Sequence, residues 1–153
     1  MKTDIPQTVY LKDYTPPAFL IDTVDLDFVI ETGSTTVTAT LAVRRNPAVA
    51  AQPLVLDGDE LETLSVAVDG QTWPFSETPT QLTLSDLPGA FTLTTEVRIQ
   101  PDSNTRLSGL YRSKDGYFTQ CEAQGFRRIT WFLDRPDVMS TYTVTLHADK
   151  EKL

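Results

Sequence analysis

The sequence predicts an all-β domain, an antiparallel β-sandwich or open barrel-like sheet with one or two short helical turns. Three observations carry this. Apolar residues alternate with polar ones at period two along most of the chain. Turn pairs such as Asp-Gly, Asn-Pro and Pro-Gly punctuate it at short intervals. No stretch holds a helical apolar stripe over three turns.

Taken in order, Val24, Leu26, Phe28 and Ile30 alternate with Asp25, Asp27 and Val29. After the turn Glu31-Thr32-Gly33-Ser34, Val37, Ala39, Leu41 and Val43 alternate with threonines. The pair reads as a hairpin with one buried face, and its β-branched residues favour extended backbone. Residues 44–53, with Asn46-Pro47, form a connection. Leu54-Val55-Leu56 makes a strand ending at Asp57-Gly58, and Leu64, Val66 and Val68 make another. Asp69-Gly70 turns that strand into Thr72-Trp73-Pro74-Phe75, because glycine accepts the positive φ of a tight hairpin. Leu82 and Leu84 lie on a short strand ending near Pro88-Gly89. Phe91, Leu93, Val97 and Ile99 face inward opposite Thr92, Thr94, Glu96 and Arg98, until Pro101 ends the strand. Tyr142, Val144 and Leu146 alternate with Thr141, Thr143 and Thr145. Helical turns are expected at 59–63 and at 134–139, where Asp134 suits an N-cap and Pro136 a first helical turn. The count is eight to ten strands, with no repeat or linker.

The 153 residues suit one domain, which at this size buries roughly 70% of its unfolded surface. Thirteen Lys and Arg against 21 Asp and Glu leave a formal charge of −8. That disfavours nucleic acid, whose binding runs on cationic side chains displacing counterions, and suits cations, amines or basic peptides. No apolar run approaches the roughly 18 residues of a membrane span, and Met1-Lys2-Thr3-Asp4-Ile5-Pro6 contains no apolar secretory segment. Cys121 has no second cysteine to pair with, so the expected compartment is reducing and cytoplasmic. With His147 as the one histidine, the chain cannot assemble a His-rich zinc site, and no G-x-S-x-G, Walker A or G-x-G-x-x-G sequence accompanies it. Asp149-Lys150-Glu151-Lys152-Leu153 follows the last strand without a cap, as a natural terminus or a domain edge would.

Residues 109–138 interrupt the alternation and concentrate unusual side chains. Gln120 and Glu122 lie two apart, which on an extended backbone puts them on one side. A carboxylate beside an amide suits a primary ammonium group. The alternative is an ordinary ion pair from Glu122 to Arg127, Arg128 or Arg135. Cys121 reads as a small buried apolar residue, Phe118, Phe126, Trp131 and Phe132 as core, His147 as a surface histidine, and Asp134-Arg135-Pro136-Asp137 as a salt-bridged turn.

The run Thr119-Gln120-Cys121-Glu122-Ala123-Gln124-Gly125-Phe126-Arg127-Arg128-Ile129-Thr130, followed by Asp134-Arg135-Pro136-Asp137-Val138, closely resembles the bacterial aminopeptidase N family of zinc metallopeptidases. Gly109-Leu110-Tyr111-Arg112-Ser113, Leu11-Lys12-Asp13-Tyr14 and Leu54-Val55-Leu56-Asp57-Gly58 fit the same pattern, so the resemblance covers nearly the whole chain. It implies that residues 1–153 are a single N-terminal β-domain with a saddle-like sheet, from a larger enzyme whose catalytic and C-terminal domains are absent here.

In that family the glutamate matching Glu122 grips the free α-amine of the substrate. The glutamine matching Gln120 lines the pocket for the first side chain. Zinc, on H-E-x-x-H and a later glutamate, belongs to the next domain, as do a G-A-M-E-N strand and a tyrosine that stabilises the oxyanion. The resemblance therefore implies no catalytic residue, no metal ligand and no bound zinc in this chain, and no activity from it alone. Its implied partners are a peptide with a free N-terminus and the missing catalytic domain, with neither nucleic acid nor membrane. Gln124 stands where close relatives often carry glutamate. The competing reading is a stand-alone β-sandwich module that binds a protein or peptide without catalysis.

Overall fold

The alternating segments become strands where the pattern places them. The computed structural model describes residues 10–114 and 116–150; the expectations for residues 1–6 and 151–153 lie outside this range, as does Asp115. Within it run β1 (Phe19–Ile30), β2 (Thr35–Arg45), β3 (Leu54–Asp57), β4 (Glu62–Val68), β5 (Gln71–Thr72), β6 (Ser76–Thr78), β7 (Gln81–Leu84), β8 (Ala90–Ile99), β9 (Gly109–Ser113), β10 (Gly116–Gln120) and β11 (Thr141–Ala148). Six of them form one sheet in the order β11-β1-β2-β8-β4-β5, β3-β7-β6 form a second, and β9 and β10 form a ribbon.

The β1–β2 hairpin is the spine of the large sheet. Val24 pairs with Leu41 and Phe28 with Val37, and all four are buried, so period two converts directly into one apolar face. Phe19 and Ile21 are also buried, although they are out of phase with Val24, Leu26 and Phe28. The register shift between Ile21 and Thr23 resolves this: Asp22 is the extra residue of a bulge, which keeps both halves of β1 facing inward. A second shift lies between Thr63 and Ser65. It turns Leu64 out, 38% exposed, against the inward position its alternation with Val66 suggests.

On the small sheet, Leu54, Leu56, Leu82 and Leu84 are inward, in one core cluster with the large sheet's apolar face. Trp131 joins them at 1% exposure. Its ring lies so close to Gly58 that a Cβ there would stand 2.1 Å from a ring carbon, which explains a glycine after Asp57. The indole N–H donates to Thr63 Oγ1 at 2.8 Å. Asp57 and Phe132 exchange backbone hydrogen bonds of 2.7 and 3.1 Å, joining the small sheet to the segment that leads into β11.

β11 departs from the antiparallel expectation, because it pairs with β1 in parallel. The chain enters it beside the start of β1: Ser140 Oγ donates to Ile21 O at 2.7 Å, Arg135 to Thr15 O at 2.7 Å, and Tyr14 Oη to Asp137 at 3.0 Å. Tyr142, Val144 and Leu146 stand in register with Val24, Leu26 and Phe28, yet all three are exposed.

Neither expected helical turn forms. Residues 59–61 are bend and loop leading into β4, and 134–139 contain only a hydrogen-bonded turn, Val138 N to Arg135 O at 3.2 Å. The short helical pieces are 3-10 turns at Leu11–Asp13, Pro101–Ser103 and Phe126–Arg128. Among the described residues no helix is long and apolar enough to cross a membrane.

Leu41 is fully buried, so Leu41→Ala should cost about 2–5 kcal/mol in a urea unfolding experiment. Thr35 Oγ1 is buried with no hydrogen-bond partner among the described residues. Thr35→Val should therefore leave the unfolding midpoint unchanged or raise it, since it removes an unpaired hydroxyl while keeping the shape.

Candidate functional site

The β9–β10 ribbon carries Gln120 to its end, where Gln120 pairs with Gly109. The chain then leaves the extended conformation. Residues 122–125 form a turn, closed by Gly125 N donating to Cys121 O at 2.8 Å, and the Glu122–Ala123 peptide is cis. Gln120 and Glu122 thus come together through a turn, not through strand alternation. The Gln120 amide donates to the Glu122 carbonyl at 3.4 Å, and both residues are exposed.

The arginines that local sequence offers to Glu122 are engaged elsewhere. Arg127 Nε lies 2.8 Å from Asp134 and its Nη2 3.7 Å from Asp57. Arg128 pairs with Asp59 at 2.6 Å and with Glu60, and its Nε donates to Ser108 O at 3.1 Å. Arg135 pairs with Asp137 at 2.7 Å. The ion-pair alternative for Glu122 is not realised, and among the described residues its carboxylate has no cationic partner. The reason is reach: Phe126–Arg128 is a 3-10 turn that aims the two adjacent arginine side chains at the β3–β4 connection and at Asp134.

Beneath the turn lies an apolar and aromatic bed. Phe126 meets Phe132 edge-on at 4.9 Å and Tyr142 at 5.8 Å, geometries that suit the ring quadrupole. Cys121 is half-buried, not fully buried as expected. Burial pushes its thiol pKa up, and the negative charge of Asp134 adds to that; at neutral pH it stays protonated and unreactive. Burial likewise raises the Tyr142 phenol, with smaller contributions from Asp134 and Cys121.

Trp131 and Phe132 are core as expected, and Phe126 packs against the core partly buried. Phe118 instead stacks on Tyr111 at 5.9 Å and is 51% exposed. His147 is at the surface, with Nε2 2.9 Å from Asp27. Sequence reasoning missed Asp59, Glu60 and Ser108 as the partners of Arg128 and Tyr142 as a wall of the turn. The acidic Asp57-Gly58-Asp59-Glu60 run was the available signal for the first two. Tyr142 lies 20 residues downstream of Glu122 with no local cue. Among the described residues no group of three or more His, Cys, Asp or Glu side chains could hold a metal ion.

Comparison with known proteins places this geometry in context. The sequence profile of the peptidase M1 N-terminal domain matches residues 20–153. The aminopeptidase N of Caulobacter vibrioides is 48% identical over 152 residues, covering 97% of this chain and 18% of that protein. Its Escherichia coli counterpart is 43% identical over 151 residues, covering 98% of this chain and 17% of that protein. The solved structure of Legionella pneumophila aminopeptidase A in complex with aspartic acid superposes with a TM-score of 0.86 at 27% identity, over 93% of this chain and 17% of that one. The chain thus spans less than a fifth of the length of these relatives.

Arg128→Ala should lower stability by about 1.5–3 kcal/mol, because it removes a buried side chain with its charge-assisted hydrogen bonds to Asp59 and Glu60, while Arg106 stays 3.2 Å from Asp59; a denaturant midpoint measures this. The exposed Glu60 adds little to that loss. Asp137 supplies a pH test. Its hydrogen bond from Arg135 holds the carboxyl below its ordinary value, against an opposing effect of burial, and the Tyr14 hydroxyl assists. A depressed folded-state pKa gives stability above the unfolded-state value that is lost as pH falls through the folded one. Thermal unfolding followed below about pH 4 should show a shallower acid loss in Asp137→Asn than in the parent chain.

Proposed function

This chain belongs to the peptidase M1 N-terminal domain family, and from that premise we propose that it is the substrate-end recognition domain of a zinc-dependent aminopeptidase that removes N-terminal residues from peptides. Glu122 binds the free α-ammonium group of the peptide, and Gln120 lines the pocket for its first side chain. The observation that supports this reading is the exposed Glu122 carboxylate, left without a cationic partner among the described residues while Arg127, Arg128 and Arg135 are all paired to other acids.

The chemistry follows from the charge of that carboxylate. An ammonium group placed against a carboxylate gains charge-assisted hydrogen bonds, whereas an internal peptide unit brings no charge to the same spot. A site that requires the ammonium therefore registers the end of the peptide and excludes interior bonds. The Gln120 amide offers both a donor and an acceptor beside it. The formal charge of −8 draws cationic amines toward the domain and repels acidic polymers. Bond cleavage depends on zinc held by residues outside this chain, in a catalytic domain that continues the same polypeptide, and the isolated domain binds and orients without cleaving. Its setting is cytoplasmic.

In the aminopeptidase that carries this domain, Glu122→Ala should lower kcat/KM on a free-amine peptide by about 10- to 100-fold, the range for one hydrogen bond to a charged group. An unchanged kcat/KM removes the assignment. Sequencing past the codon for Leu153 is an independent check. A frame running on through G-A-M-E-N and H-E-x-x-H supports the reading, and a stop codon there favours the stand-alone binding module.

A further inference from the structure

Gly125 has no conformational need to be glycine. Its backbone sits at φ −93°, ψ −14°, in the right-handed helical region open to every L-residue. Its requirement is space. A Cβ at this position would stand 2.5 Å from the carbonyl oxygen of Gln120, 2.9 Å from Cys121 Cα and 2.9 Å from Ser108 Oγ. The first two are backbone atoms and cannot rotate away, so a methyl group would force the Gln120–Cys121 backbone outward by roughly 1 Å to reach normal contact distance.

The surroundings give that displacement a direction. Below Gly125, its carbonyl accepts from Arg128 N at 3.1 Å. Arg128 is itself fastened to Asp59, Glu60 and Ser108 O. On the far side of Gln120, Gly109 has φ +73° and also lacks room, because a Cβ there would stand 2.7 Å from Arg128 Cβ. The ribbon end and the 3-10 turn are thus pressed together backbone to backbone, with Gln120 between them. Above, the Gly125 N–H holds Cys121 O at 2.8 Å, and Glu122 follows directly.

We propose that Gly125 is a positioning residue: by having no side chain it lets the Gln120 carbonyl close onto the arginine-anchored turn, and so sets where the Glu122 carboxylate meets the substrate amine. This rests on the amine-anchor reading above. Gly125 touches no substrate itself and acts through the turn.

The test is a double-mutant cycle in the full-length aminopeptidase that carries this domain, assayed with an aminoacyl anilide as the free-amine substrate. Gly125→Ala should raise KM about tenfold or more, as a displacement near 1 Å does for a binding group, with a smaller change in kcat. In a Glu122→Ala background the same substitution should cost nearly nothing further, because the group it mispositions is gone. Equal losses in the two backgrounds overturn the inference, since the glycine then serves the fold and not the anchor. An unchanged KM in Gly125→Ala also overturns it. If Gly125→Ala does not fold, Ser108→Thr adds a methyl group to the other side of the same contact and takes its place in the cycle. Loss of folding in both variants overturns the positioning role. A Glu122→Ala enzyme with parental kinetics defeats the underlying amine-anchor reading instead, so the two failures are told apart.

Discussion

Two adjacent arginines fasten the irregular part of this domain to its regular part. Arg127 and Arg128 project from one 3-10 turn and end on acids from different elements, Asp57 and Asp134 for the first, Asp59 and Glu60 for the second. A guanidinium as buried as that of Arg128, whose side chain is 5% exposed, persists only where its charge and its N–H groups find partners. Asp59 and Glu60 supply the charge and Ser108 O an acceptor. The small sheet, the two-stranded ribbon and the approach to β11 are thereby tied to one point, and the Gln120–Glu122 turn stands immediately above it.

The apolar core and the site divide the work between them. Burial along β1, β2, β4 and β8 makes a stiff sheet, against whose core only Cys121 of residues 120–125 packs as a partly buried apolar side chain. The turn contributes almost nothing to the core; it sits on the surface, positioned by backbone contacts, as functional loops on rigid scaffolds commonly do. Gly58 and Gly125 both serve by close approach: Gly58 admits the Trp131 ring, and Gly125 admits the Gln120 carbonyl. In both places the missing side chain is a packing element.

Charge explains why the Glu122 carboxylate remains available. With 21 acids against 13 Lys and Arg, acids outnumber cations, and the 3-10 turn directs its arginines away from Glu122. In the proposed reading, the Glu122 carboxylate, which has no cationic partner among the described residues, takes its cation from the substrate. The half-buried Cys121 below it stays protonated and adds no competing charge.

Much of this domain was written in its one-dimensional pattern. Alternation at period two placed β1, β2, β3, β4, β7 and β8 and most of their inward faces, because burial of one sheet face is a local periodic property; the strand expected over Thr72-Trp73-Pro74-Phe75 stops at Thr72, and Ser76–Thr78 forms one instead. The Thr-Gln-Cys-Glu to Asp-Arg-Pro-Asp run marked the segment on which the proposed site rests. What the tertiary structure alone decided involves partners distant in sequence. The parallel docking of β11 depends on Ser140 reaching Ile21 and Arg135 reaching Thr15, contacts across more than a hundred residues that no local pattern encodes. Leu64 and Phe118 follow an apolar rhythm yet lie exposed, the first through a bulge and the second on a ribbon outside the core. Glu122 escaped its neighbouring arginines for the same reason: residue spacing fixes which groups are near, but the turn in three dimensions selects which of them meet.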